Sequence, residues 1–315
     1  DANDKGDVDI NGAVTLAGAT VINTSSSGGT VHFDSAVTGA NNLTINSGAG
    51  TVTLASATGG STIGNLVINA ASASHTGTGV INIDDIGDGD GAGSTTTNIG
   101  NAATADLNLA GTFFTGCTTT ITASSTAGGT DKNIDITANT TIKTTSSDIT
   151  FATAAIDIAD TMNLTVNSGT GDLTLTDIHG AGGDNDTSDL DIDGAAVVVR
   201  EIGQSGAKDE INGITINGTT VQLNEPIYTA GAGNTIHITG AVSLATGDIL
   251  IDTTTSDGAV TITGAVKGGQ NLDILAGTGL TTITGNIGVG GALTSLDINA
   301  ADVTGDTGGV TLGGN

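Results

Sequence analysis

Short runs in which apolar and polar residues alternate recur along the whole chain, each bounded by Gly, Asn, Asp or Ser. In Val260-Thr261-Ile262-Thr263 a period of two puts Val260 and Ile262 on one face and Thr261 and Thr263 on the other, the signature of a half-buried strand. The runs are themselves repeated. Val31–Leu54 aligns without gaps with Val260–Ile283, and 10 of 24 positions are identical. Related copies run from Leu173-Thr174-Leu175 to Leu190-Asp191-Ile192 and from Thr281-Thr282-Ile283 to Leu296-Asp297-Ile298. Adjacent copies start 21 residues apart, at 31 and 52 and at 260 and 281, and their second triplets lie 23 or 24 apart.

Repetition at this period, carried by strands, predicts an all-β fold: a right-handed parallel β-helix, or β-solenoid, with coils of about 21–24 residues. Inward Val, Ile and Leu would form ladders from coil to coil, with Thr, Asp and Asn outside. Leucine-rich repeats share the period but need a longer Leu-rich consensus that is missing here. The reading treats 1–315 as a single β-solenoid rod, with larger loops near 85–106 and 179–189, where the rhythm breaks. No capping helix is evident, since the rhythm is present at Val8-Asp9-Ile10 and again at Val310-Thr311-Leu312.

Composition narrows the function classes. Charged residues make up 12% of the chain and Pro occurs once, which excludes an ordinary helix-rich α/β enzyme and collagen. The 33 acids against 6 bases give a formal net charge of −27, so the surface repels nucleic acid and anionic membranes, and neither is an expected partner. No apolar stretch reaches the length of a membrane span. The single cysteine, Cys117, forms no intramolecular disulfide and reads as a small buried filler.

The segments VTITGAVKGGQNLDI (260–274) and LTINSGAGTVTL (43–54) resemble the β-helical repeat regions of filamentous-haemagglutinin-type adhesins and other very large secreted bacterial surface proteins. The resemblance covers most of the chain. It implies secretion to the cell surface and a structural or adhesive role, with other cell-surface components as partners.

Candidate chemistry is sparse. A polysaccharide-cutting enzyme needs paired acid/base groups, cations and aromatic platforms; Tyr228 and Arg200 stand alone in sequence, and Phe33, Phe113, Phe114 and Phe151 read mostly as inward. The expectation is no catalytic residue and no organic cofactor. His32, His75, His179 and His237 lack metal-ligand spacing, and His32 and His237 occupy outward centres of triplets. Calcium is the one ligand with a residue pattern. Asp84, Asp85, Asp88 and Asp90 place four carboxylates within seven residues, Asp184, Asp186 and Asp189 form a second cluster, and Asp1, Asn3 and Asp7 a third. Asp and Gly are equally good corner residues, and none of the clusters has EF-hand spacing. Outward Thr-x-Thr pairs suggest an ice-binding face, but variable coil lengths would roughen it.

A solenoid exposes unpaired strand at its ends unless something covers them. The sequence therefore predicts a secreted extracellular filament or surface fibre, built by end-to-end stacking of the chain upon itself. Val8, Ile10, Val310 and Leu312 mark the assembly ends. The alternative is a stalk segment of a large adhesin; an ice-binding solenoid and a β-helical polysaccharide-degrading enzyme rank below both.

Overall fold

In a computed structural model the described residues are 6–55, 63–69, 78–87, 96–125, 134–180, 187–204, 211–229, 233–254, 257–299 and 308–314. Among them the secondary structure is entirely strand and turn, and the strands pair in parallel as a β-solenoid. The chain divides into two compact units, residues 1–157 with 166–171, and residues 158–165 with 172–315.

In the first unit Val8, Val31, Val52, Ile81, Leu107 and Ile134 stack in register, and Phe33, Leu54, Ile83, Leu109 and Ile136 form the neighbouring ladder. From Val31 and Phe33 onward these side chains are 0–2% exposed. In the second unit three such columns lie side by side. One holds Leu190, Ile214, Ile236, Val260, Thr281 and Val310. Another runs Leu173, Val197, Val221, Val242, Val266 and Ile287. The third runs Ile178, Ile202, Ile227, Ile251, Ile274 and Ile298. Coils thus contribute to three columns, the strands Leu190–Val199, Ile214–Leu223 and Ile236–Leu244 each spanning the first two, and similar apolar residues stack because the coils repeat the same inward pattern. Parallel pairing keeps β-branched side chains stacked directly above one another, where their restricted rotamers cost least on folding.

The 21–24 residue spacing holds for Val8 to Val31, Val31 to Val52 and Leu190 through Thr281. Val52 to Ile81 and Thr281 to Val310 take 29 residues, and Leu66 to Thr97 takes 31. Triplets must keep register to stay inward, whereas corners carry no ladder and absorb the extra residues.

One break in the rhythm conceals a rung. Thr96–Gly100, inside the loop expected near 85–106, is a strand paired with Asn65–Ile68 on one side and Thr119–Thr122 on the other. Its inward positions are Thr97 and Ile99, 1% and 0% exposed, and a threonine in the first of them hid the triplet from a hydrophobicity reading. Of the loop expected near 179–189, residues 181–186 lie outside the described residues.

Corners are closed by buried hydroxyls and by glycine. Thr24, Ser47, Ser168 and Thr253 each donate to a corner carbonyl three or five residues on, at 2.6–2.7 Å. In the second unit Gly218, Gly240, Gly264, Gly285 and Gly314 form a column in which a Cβ on each of the last four would meet the carbonyl oxygen of the preceding glycine at well under 3.0 Å. Coils can approach this closely only without side chains.

Phe33, Phe113 and Phe151 are inward and 1–2% exposed, while Phe114 faces outward with the Lys143 Nζ 5.6 Å from its ring centroid. Cys117 is half-buried, so its role as a core filler is only partial.

Candidate functional site

The outermost described strands differ from the rest of their columns. Thr281 and Ile283 are fully buried, yet Val310 and Leu312, one coil further and in the same inward positions, are 47% and 51% exposed. Among the described residues the strand Val310–Leu312 pairs with Thr281–Ile283 alone, and Val8–Ile10 pairs with Val31–Phe33 alone, with Val8 and Ile10 half-buried. Among the described residues, one backbone edge of each of these strands carries no ladder, and unpaired strand edge beside apolar side chains is the chemistry that accepts another strand.

Next to the Val8–Ile10 edge lies a charged group that the sequence did not announce. His32 Nε2 is 3.0 Å from Asp34 Oδ1 and Nδ1 is 3.4 Å from Asp9 Oδ1. One donor atom from each of the three residues falls within a 4.8 Å cluster, on an exposed face. Asp9 and His32 are 23 residues apart and meet only through the register Val8 to Val31.

Of the three expected calcium clusters, the described members include carboxylates that bind backbone amides of the next coil. Asp7 Oδ1 accepts the Thr30 backbone N–H at 2.7 Å, Asp85 Oδ1 that of Thr112 at 2.7 Å, and Asp189 Oδ1 that of Gly213 at 3.0 Å. Asn42, Asn163, Asp172, Asp248 and Asp257 make the same contact to a residue 21–26 positions further on. These side chains staple one coil to the next, and their bonds, charge-assisted where the acceptor is an aspartate, satisfy backbone donors that would otherwise go unpaired. Asp84, beside Asp85, is pushed toward its protonated form by burial and then by the Asp85 charge. Asp1, Asn3, Asp88, Asp90, Asp184 and Asp186 lie outside the described residues.

Stacked carboxylates also oppose each other. Asp273 and Asp297 are register partners on adjacent coils, and burial followed by the charges of Asp297 and Asp248 raises Asp273. Asp191 is raised by burial and then by Asp193, whose Oδ1 accepts Asn217 Nδ2 at 2.8 Å.

A mixed-charge group in the second unit surrounds Arg200, which had appeared isolated in sequence. The register Ile178, Ile202, Ile227 brings Asp177, His179, Arg200, Glu201, Glu225 and Tyr228 together from three successive coils. Arg200 Nε and Nη2 donate to Glu225 Oε1 at 3.1 and 2.7 Å, and Nε lies 3.2 Å from Asp177 Oδ1. The guanidinium is thus engaged by carboxylates from the coils before and after its own. His179 Nε2 sits 3.6 Å from Glu201 Oε2, with the His179 side chain 9% exposed. Burial pushes Glu201 upward, the charges of Asp177 and Glu225 add to this, and Arg200 partly offsets them. Burial and the Glu201 and Asp252 charges likewise raise Tyr228.

A raised folded-state value means that Glu201 contributes most to stability below the ordinary carboxyl value of 4.5 and loses that contribution as pH rises through the folded value. Glu201→Gln, which removes the charge and keeps the shape, is expected to raise the thermal midpoint at neutral pH. The two proteins should melt together near the acid end of the transition. Paired melting curves at neutral and acidic pH check this, and a lower midpoint for the variant at neutral pH would show that the ionised Glu201 is held favourably by Arg200.

Comparison with protein-family models, with curated proteins and with solved structures returns no match for this chain.

Proposed function

We propose that the protein is a structural subunit of a secreted surface fibre, assembled by strand-on-strand stacking of copies of the chain through the edges at Val8–Ile10 and Val310–Leu312. The observation that carries this reading is the parallel register that stacks equivalent triplets from coil to coil, a pattern that another copy of the chain can continue. Val310 and Leu312 keep the inward register of this ladder, and a further coil presenting the same triplet would extend it. A head-to-tail contact between two different surfaces does not close on itself, so it propagates into a filament. The acidic surface, with a formal −27, keeps the flanks of such a fibre apart and confines association to the edges. The resemblance to β-helical surface proteins agrees with a secreted, non-catalytic role, and we assign calcium, where it acts, to screening of the corner carboxylates.

Electron microscopy and light scattering of the purified chain, with calcium and with a chelator, test the proposal. Concentration-dependent fibres are expected, and Leu312→Lys, which places a charge on the free edge, should abolish them while leaving the far-UV β signal intact. Loss of fibres in chelator would give the corner aspartates a structural metal. A wild-type chain that stays monomeric at all concentrations would overturn stacking and favour a stalk element within a larger adhesin.

A further inference from the structure

We propose that Asn11 is a selective site of self-catalysed deamidation, a modification confined by the fold to the outermost coil of the first unit. Three Asn-Gly pairs occur in the chain, at 11–12, 212–213 and 217–218. In this chemistry the backbone nitrogen of the glycine attacks the asparagine side-chain carbonyl carbon, and ammonia leaves as the Cγ–Nδ2 bond breaks. Water then opens the resulting five-membered imide at either carbonyl. The product is Asp, or isoaspartate with the main chain rerouted through the side chain; no oxidant or reductant enters. The reaction needs a free glycine amide, a mobile asparagine side chain and room for the ring to close.

Only one pair combines an unpaired glycine amide, an exposed asparagine side chain without a hydrogen-bond partner among the described residues, and open space. Asn11 and Gly12 are both exposed, in the turn between the strands Val8–Ile10 and Val14–Thr15. Nothing lies within 4 Å of the position a Gly12 Cβ would take, and among the described residues the Gly12 N–H has no hydrogen-bond partner. At Asn212-Gly213 the Gly213 N–H is held by Asp189 Oδ1 at 3.0 Å and the Asn212 side-chain amide donates to the same oxygen at 3.3 Å. That carboxylate both fixes the nucleophile and disfavours the amide anion that must form. Asn217-Gly218 lies inside the strand Ile214–Leu223, where Gly218 is register partner to Gly194 and the Asn217 side chain donates to Asp193 at 2.8 Å. The ladder to the preceding coil ties this backbone down, although the register to the following coil shifts after Asn217, and the hydrogen bond to Asp193 holds the side chain away from the glycine nitrogen.

Conversion adds a negative charge next to Asp9 and Asp34, and the isoaspartate form adds a carbon to the main chain between the first two strands. Aged subunits would then stack poorly at this edge, a consequence that rests on the assembly proposed above; the site itself does not.

Peptide mapping with isoaspartate detection, after long incubation in mildly alkaline buffer, tests the site in the native protein and in the urea-unfolded chain. The native protein should convert at Asn11 and retain Asn212 and Asn217, whereas the unfolded chain should convert at all three. Gly12→Ala, which the open space around residue 12 tolerates, should remove the native conversion. Equal conversion at Asn212 or Asn217 in the native protein, or native retention of Asn11 while the unfolded chain converts, would overturn the assignment. Electron microscopy of the converted fraction reads the assembly consequence separately.

Discussion

Gly264→Ala is expected to destabilise the protein by at least ~3 kcal/mol, the upper range for forcing an extra methyl into a packed site. The added Cβ would overlap the carbonyl oxygen of Gly240 and crowd the Ala241 nitrogen, both backbone atoms of the preceding coil. Neither can move aside as a side-chain end would. Relief requires separating the coils, which breaks the parallel ladder between Ile236–Leu244 and Val260–Ile262 and between Val242 and Val266. Gly247→Ala is the control: nothing lies within 4 Å of its added Cβ, so the reduced freedom of the unfolded chain should make it neutral or stabilising by ~0.4–1 kcal/mol. Urea titrations of both variants decide the matter, and equal behaviour of the two would show that the glycine column is a turn preference rather than a close approach.

Phe113→Ala is expected to cost ~3–5 kcal/mol, the range for removing a buried aromatic ring and leaving a cavity. Phe113 is 1% exposed and stacks between Ile86 and Ile142. Coils cannot collapse into the void, because the ladder of Leu107–Thr115 with Ile134–Thr144 on one side and the bridge at Ile86 on the other hold their spacing. Phe114→Ala is the comparison within the same strand. Its ring points outward beneath Lys143, so only a cation–π contact and partial packing are lost, ~1 kcal/mol or less. The same equilibrium denaturation reads both, and a Phe114 cost equal to that of Phe113 would contradict the assigned faces.

Much of the fold was legible because a solenoid repeats its local code. Val260-Thr261-Ile262 states its own inside and outside, and its copy at 31–33 states them again. Where an inward position was taken by threonine at Thr97, the alternation vanished and the rung was hidden, although the hydroxyl is accepted in the core. The candidate assembly edges were legible in the same way, as triplets in the pattern. Their exposure was not, since Val310-Thr311-Leu312 reads like any inner triplet, although in this structure the Val310 and Leu312 side chains are 47% and 51% exposed.

The aspartates show the opposite balance. Asp84 to Asp90 form a cluster that is close in sequence. What the sequence did not show is that Asp85 accepts the Thr112 amide of the next coil, the same contact that Asp7 and Asp189 make elsewhere. Cross-coil partners lie 21 to 27 residues away, so no local motif can reveal them.

By itself the sequence determined that this chain is all-β, that its strands are short and half-buried, and that equivalent triplets stack as a parallel solenoid. Periodicity of two within a triplet and a period near 23 between triplets are local properties, and they fix which atoms must leave water. Tertiary structure alone decided which outward residues meet. The clustering of Asp9 with His32, the capture of Arg200 by Glu225 and Asp177, and the locked amide at Gly213 all depend on register, set by corner lengths that vary freely from coil to coil. Side chains on the solvent face carry no ladder of their own, so the stacking of the core places them.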